Sequence, residues 1–178
     1  MRDNKTRMLV EAGLMIALAY VLSLVKLFQM PNGGSVTAGS MIPILVFAFR
    51  WGGIQGMLVG AVYGGIQFLL GPKWSFHILS ILLDYVVPFA ALGMAGFFRR
   101  GGLGKAVIGV CVGILGRLIS HVLSGVIVWA SYAPEGMNPW VYSIAYNGAY
   151  IAAELIITVI VFILLYKPLM RAKTLEEM

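Results

Sequence analysis

The sequence predicts an all-α integral membrane protein of six transmembrane helices, with both termini in the cytoplasm and a single transmembrane domain over residues 1–178. Three observations predict this: a composition too apolar for water, six apolar stretches, and basic residues confined to alternate connections. Of the 178 residues, 60% are hydrophobic and 11% charged, with a mean hydropathy of +0.91. A soluble domain carries roughly a quarter of its residues as charges, so the solvent for most of this chain is lipid. The lone Cys111 excludes an intramolecular disulfide and any multi-Cys metal centre.

A hydrocarbon core of about 30 Å needs about 20 helical residues. Six segments are candidates: residues 8–27, 36–49, 53–70, 76–98, 106–130 and 141–166. The second is short and contains Pro43, so by length alone it could be re-entrant or interfacial. Charge decides for a crossing. Basic residues cluster at Arg2, Lys5 and Arg7, at Arg50, at Arg99, Arg100 and Lys105, and at Lys167, Arg171 and Lys173. These are alternate connections only if all six segments cross, as the positive-inside rule requires. Ten of the 13 basic residues then face the cytoplasm. The net charge of +6 is therefore mostly an orientation signal, and nucleic acid is not an expected partner. The basic, then apolar, N-terminus resembles a signal peptide, but its apolar stretch is too long and five more follow, so it is read as a retained helix.

Segment three carries Gly52, Gly56, Gly60 and Gly64 at four-residue spacing, a small-residue stripe expected to pack a neighbouring helix closely. Segment one has a shorter version in Gly13 and Ala17, open either to internal packing or to docking of a membrane partner. Polar groups at membrane depth are costly and mark functional candidates. They are Glu11, Lys26, Asp84, Arg117, His121, Asn147 and Glu154. Glu11 and Lys26 lie near helix ends and are expected to snorkel.

Depth arithmetic sorts the others. Asp84 lies about 10 Å below the outer rim, on nearly the same helix face as His77; His121 lies about 12 Å and Asn147 about 8 Å down. Three polar side chains from three helices share one level, below Trp74, Trp129, Trp140 and Tyr142. Arg117 and Glu154 reach about 18 Å and form a separate set. They are expected to pair as a buried structural ion pair, with a proton or ion relay as the alternative. The aromatic group is open to two readings, an interfacial belt or the walls of a site. A carboxylate, an imidazole and a carboxamide beneath indole rings suit a planar heteroaromatic cation. A metal would need His77 to complete an otherwise short ligand set, and none is expected. No catalytic residue is expected either, because no nucleophile, paired carboxylates or phosphate-cradling loop is present.

The stretch from Met30 through Pro31, Asn32, Gly33, Gly34, Ser35, Val36 and Thr37 to Pro43 and Ile44, then Leu83-Asp84-Tyr85, then His121 with Trp129-Ala130-Ser131-Tyr132, and Tyr142-Ser143 with Asn147-Gly148, resembles the thiamine-specific substrate-binding (S) components of energy-coupling factor vitamin transporters. The likeness covers nearly the whole chain. It implies a six-helix protein of the bacterial cell membrane that captures thiamine from outside without a cofactor. Its implied partners are a transmembrane coupling subunit and two ATPase subunits. The resemblance assigns Asp84 and Tyr85 to the ligand's pyrimidine and cationic thiazolium, and His121 and Trp129 to its flanks. Tyr142 and Asn147 are assigned to the pyrimidine, Trp74 to an aromatic loop position, and Gly13 and Ala17 to the coupling subunit. There are departures: Asp84 stands where some members have Glu, the first outer loop lacks an aromatic, and Pro134 stands where another aromatic might have been. A thiamine precursor or another vitamin is an alternative ligand. A small integral-membrane enzyme and an autonomous channel or carrier are the competing classes. The polar layer faces outward, and no polar path continues below it apart from Arg117 and Glu154.

Overall fold

The computed structural model describes the backbone of residues 2–177 and the side chains of residues 4–169. The side chains of Arg2, Arg171 and Lys173, part of the charge asymmetry, lie outside the described residues. Helix α1 (Arg2–Leu24) leads into an antiparallel hairpin of β1 (Lys26–Gln29) and β2 (Ser35–Thr37). Helices α2 (Ile42–Trp51), α3 (Gly53–Leu70), α4 (Ile78–Phe98), α5 (Gly102–Ile127) and α6 (Pro139–Glu177) follow. Among the described residues, α1, α3, α4, α5 and α6 are long and apolar enough to cross a membrane.

The hairpin corrects the all-α expectation. The first segment stops being helical at Leu24, and Lys26 and Leu27 lie in β1. In the second segment, Val36 and Thr37 belong to β2 and only Ile42–Trp51 is helical, a length of about 15 Å. Pro43 starts that helix rather than interrupting it, because its missing N–H is one of those the first turn cannot use anyway. Seven consecutive residues of α2, Ile42 to Ala48, are buried, so it is a core helix apolar on every side. Non-helical backbone before it is tolerable because it is sheltered by protein: Val36, Thr37, Ser40 and Met41 are all buried.

The glycine stripe does what its spacing implies. A Cβ on Gly60 would collide with the Phe89 carbonyl and one on Gly64 with the Tyr85 carbonyl, while Gly56 meets the Cα of Gly93. Helix α3 therefore lies backbone-to-backbone on α4, which fixes the depth of the segment carrying Asp84. That segment is unusual. Residues Ile81–Val86 form a π-helix between α-helical turns, and the wider turn rotates Asp84 away from the face expected from regular helical spacing. The Leu83 carbonyl there accepts a hydrogen bond from the Ser120 hydroxyl of α5 at 2.7 Å.

At the end opposite the hairpin, Arg50 Nε pairs with Glu11 at 2.6 Å. Glu11 is thus an ion-pair partner rather than a free snorkelling carboxylate. Gly13 and Ala17 face outward on α1, with open space around Gly13, whereas Ala12 and Ala19 point into the core.

Gly60→Ala should lower stability by about 1–3 kcal/mol through overpacking. Gly65→Ala, with nothing within 4 Å of the added carbon, should be near neutral. Thermal unfolding of both variants in detergent checks this, and equal midpoints would contradict the close contact.

Candidate ligand-binding site

A cavity of about 200 Å³ opens between the hairpin, the loop before α4, and helices α4, α5 and α6. All seven residues singled out from the sequence line it: Trp74, Asp84, Tyr85, His121, Trp129, Tyr142 and Asn147. At its centre is the Asp84 carboxylate. Oδ2 accepts from Ser80 Oγ and Ser124 Oγ, each at 2.7 Å, and from Trp129 Nε1 at 3.1 Å. Oδ1 faces His121 Nδ1 at 3.3 Å. These donors come from two helices and the turn after α5, so one carboxylate gathers both walls and orients the Trp129 indole.

The tautomer of His121 follows from its second neighbour. Arg117 Nε lies 3.4 Å from His121 Nε2. A guanidinium only donates, so Nε2 accepts and the proton sits on Nδ1, towards Asp84. The imidazole is therefore neutral. Arg117 also pairs with Glu154, Nη1 to Oε2 at 3.2 Å, as its spacing from the helix ends predicted. The two sets are not separate, however. Arg117 and His121, four residues apart on α5, share a face, and the polar layer continues into the ion pair.

Glu154, only 3% exposed, has another function. Its Oε1 accepts from Thr37 N at 2.9 Å and Thr37 Oγ1 at 2.8 Å. It thereby satisfies the backbone where the hairpin enters the bundle. Asn147 is a brace as well: Nδ2 donates to the Ser143 carbonyl at 3.0 Å, and Oδ1 accepts from Tyr150 at 3.1 Å.

The remaining aromatics divide. Tyr85 lines the cavity and donates to the Pro72 carbonyl at 3.0 Å, which holds the loop before α4. The Trp74 indole packs on Gly33 of the hairpin turn. Trp140, 49% exposed, is not in the lining and behaves as an interfacial residue. His77 stays outside the cavity as the N-cap of α4, accepting from Leu79 N at 3.2 Å. It does not join Asp84. Lys26, expected to snorkel from a helix end, lies instead on β1 at the cavity's edge, with Nζ 3.3 Å from Gln29 Oε1.

Sequence reasoning missed Ser80, Ser124, Tyr146 and Tyr150. Single hydroxyls in an apolar helix carry little signal, but Ser80 lies four residues before Asp84, and Tyr142, Tyr146 and Tyr150 recur every fourth residue, which puts each set on one helix face.

The buried and half-buried charges in this region are Asp84, Arg117 and Glu154, while Lys26 stands exposed at the cavity's edge. With the last two paired, one negative charge is left uncompensated beneath aromatic faces. That arrangement suits a flat cation. Fold and cavity together define a small-molecule-binding membrane protein.

A family model described as "Thiamine transporter protein" (Thia_YuaJ) matches residues 9–174, and the chain belongs to this family. It is 38% identical to the thiamine transporter ThiT of Bacillus subtilis (strain 168) over 89% of each chain. It is 29% identical to ThiT of Lacticaseibacillus paracasei over 68% of each. The solved structure of ThiT from Listeria monocytogenes superposes with a TM-score of 0.80 at 25% identity, covering 93% of this chain and 96% of that one. The chain is accordingly a multi-pass bacterial membrane protein of a transport rather than an enzymatic family.

Removing Glu154 strands the Arg117 charge and two Thr37 donors, whereas removing Arg117 leaves Glu154 still holding Thr37 and costs His121 Nε2 one long hydrogen bond. Glu154→Ala should cost about 3–5 kcal/mol and Arg117→Ala less, with the double variant well short of the sum. Additive losses in thermal unfolding would contradict the pairing.

Proposed function

We propose that this protein captures thiamine from outside the cell and is the substrate-binding subunit of an energy-coupling factor importer. Asp84 carries the reading: it is the half-buried charge of the cavity that has no opposite charge beside it, it is negative, and it sits among aromatic rings. Thiamine is a cation made of two flat heteroaromatic rings. In this reading the thiazolium charge is balanced by Asp84, and Trp129 stacks on a ring. Tyr85, His121, Tyr142, Asn147 and Trp74 complete the contacts and the walls. Asp84 already accepts four donors, so its free acceptor capacity lies mainly on Oδ1.

The topology we propose has six crossings, with the hairpin end outward and both termini cytoplasmic. Residues 36–51 make the second crossing as an extended stretch followed by α2, ending where Arg50 meets Glu11. Arg50, Arg99, Arg100 and Lys105 then fall on the cytoplasmic side, consistent with the positive-inside rule. The outward Gly13 and Ala17 of α1 dock the transmembrane coupling subunit, which connects to two ATPase subunits. In this reading the energy for uptake comes from those partners.

Purified, ligand-stripped protein should bind thiamine below the micromolar range with quenching of Trp fluorescence. No binding in that range would overturn the reading. Asp84→Asn should weaken binding by up to about a hundredfold, the scale of lost charge-assisted hydrogen bonds, whereas unchanged affinity would remove Asp84 from the contact set. Competition between thiamine and its pyrimidine half separates thiamine from a precursor. Gly13→Trp or Ala17→Trp should spare binding yet abolish uptake in cells, and retained uptake would contradict docking at that patch.

A further inference from the structure

The hairpin roofs the cavity and is attached at two ends of very different strength. At its base, the buried Glu154 carboxylate takes both the N–H and the hydroxyl of Thr37, and Ala38 N donates to the Val25 carbonyl at 3.1 Å. At its tip, Met30 N donates to the Gly34 carbonyl at 2.9 Å and closes the turn. A single phenol then ties that turn to α6. The Tyr146 hydroxyl accepts from Asn32 N at 2.8 Å and donates to the Gly33 carbonyl at 2.9 Å. The other links at the tip are weaker. Tyr142 meets only the Asn32 side chain, at 3.5 Å, and Gly33 and Gly34 pack against Trp74 and Tyr150 without hydrogen bonds to them. Strand β1 is exposed along its whole length, so little else holds that edge down.

We infer that Tyr146 is the latch of the hairpin, a positioning residue that sets how long a bound ligand stays. The inference rests on the binding reading proposed above. Its physical basis is the contrast between the two attachments. Charge-assisted bonds in a buried setting are about twice as strong as neutral ones near water, so opening pivots at Thr37 and breaks the bonds at Tyr146. One hydroxyl uses its proton on the carbonyl and one lone pair on the amide of adjacent residues. Removing it frees the turn while leaving the ring, the base and Asp84 in place.

The test is Tyr146→Phe in the full chain. Thiamine dissociation, measured by stopped-flow Trp fluorescence, should become about tenfold faster, the equivalent of two neutral hydrogen bonds, while association changes less than about threefold, since affinity differences of this kind fall mainly on the off-rate. In ligand-free protein, spin labels at Phe28→Cys and Lys73→Cys, in a Cys111→Ala background, should show a broader distance distribution with Tyr146→Phe than without it. Dissociation at the wild-type rate would overturn the latch. So would faster dissociation with an unchanged distance distribution, which would place the hydroxyl on the ligand instead. If the wild-type protein bound no thiamine, the binding reading would fail, and the ligand-free distances would still judge the latch.

Discussion

A carboxylate placed inside an apolar helix must find donors before it can do anything else, and Asp84 finds four. Meeting that need shapes the middle of the molecule. Ser80 answers it from the same helix and Ser124 and His121 from α5, while Trp129 reaches back from the turn beyond. The π-turn of Ile81–Val86 brings the carboxylate round to meet them, and the glycine stripe of α3 seats that turn at a fixed depth. His121, held as a neutral donor, passes the constraint to Arg117, Arg117 passes it to Glu154, and Glu154 passes it to the backbone of Thr37. A line of polar contacts thus runs from the centre of the cavity to the root of its roof. Every charge on it is paired except the first.

That exception has a functional consequence. Burying an ionised group without a counter-charge costs free energy unless hydrogen bonds compensate, and here they compensate in part. The remaining unbalanced charge favours a cation in the cavity, and the surrounding rings favour a flat one. In the reading proposed above, the same residues that make Asp84 tolerable also set the polarity of the ligand, so stability and selectivity would rest on one group.

Much of this was legible in the sequence because lipid makes polar residues conspicuous. Asp84, His121 and Asn147 stood out against apolar helices, and depth counted from helix ends placed them at one level. Arg117 and Glu154 were pairable by the same count. What sequence could not carry was local backbone geometry. Lys26 and Leu27 continue the first apolar segment and Val36 and Thr37 begin the second, so the strands read as parts of their neighbours and only Gln29 to Ser35 as a connection. The hairpin's formation depends on the glycine turn at Gly33 and Gly34, both at positive φ, and on Glu154, more than a hundred residues away. The π-turn has no compositional mark, which is why His77 was placed beside Asp84 and in fact caps the helix outside. Tyr146 and Tyr150 escaped because tyrosines near a membrane surface are common, and their specific partners, the hairpin backbone for Tyr146 and the Asn147 side chain for Tyr150, exist only in the fold.

The central claim is that the cavity around Asp84 is built for thiamine. It is tested most directly by native mass spectrometry of the protein purified from thiamine-replete cells without stripping. The account predicts one bound molecule per chain with the mass of thiamine, at reduced occupancy when Asp84 is replaced by Asn. A different bound compound, or lipid alone at that stoichiometry, would contradict it.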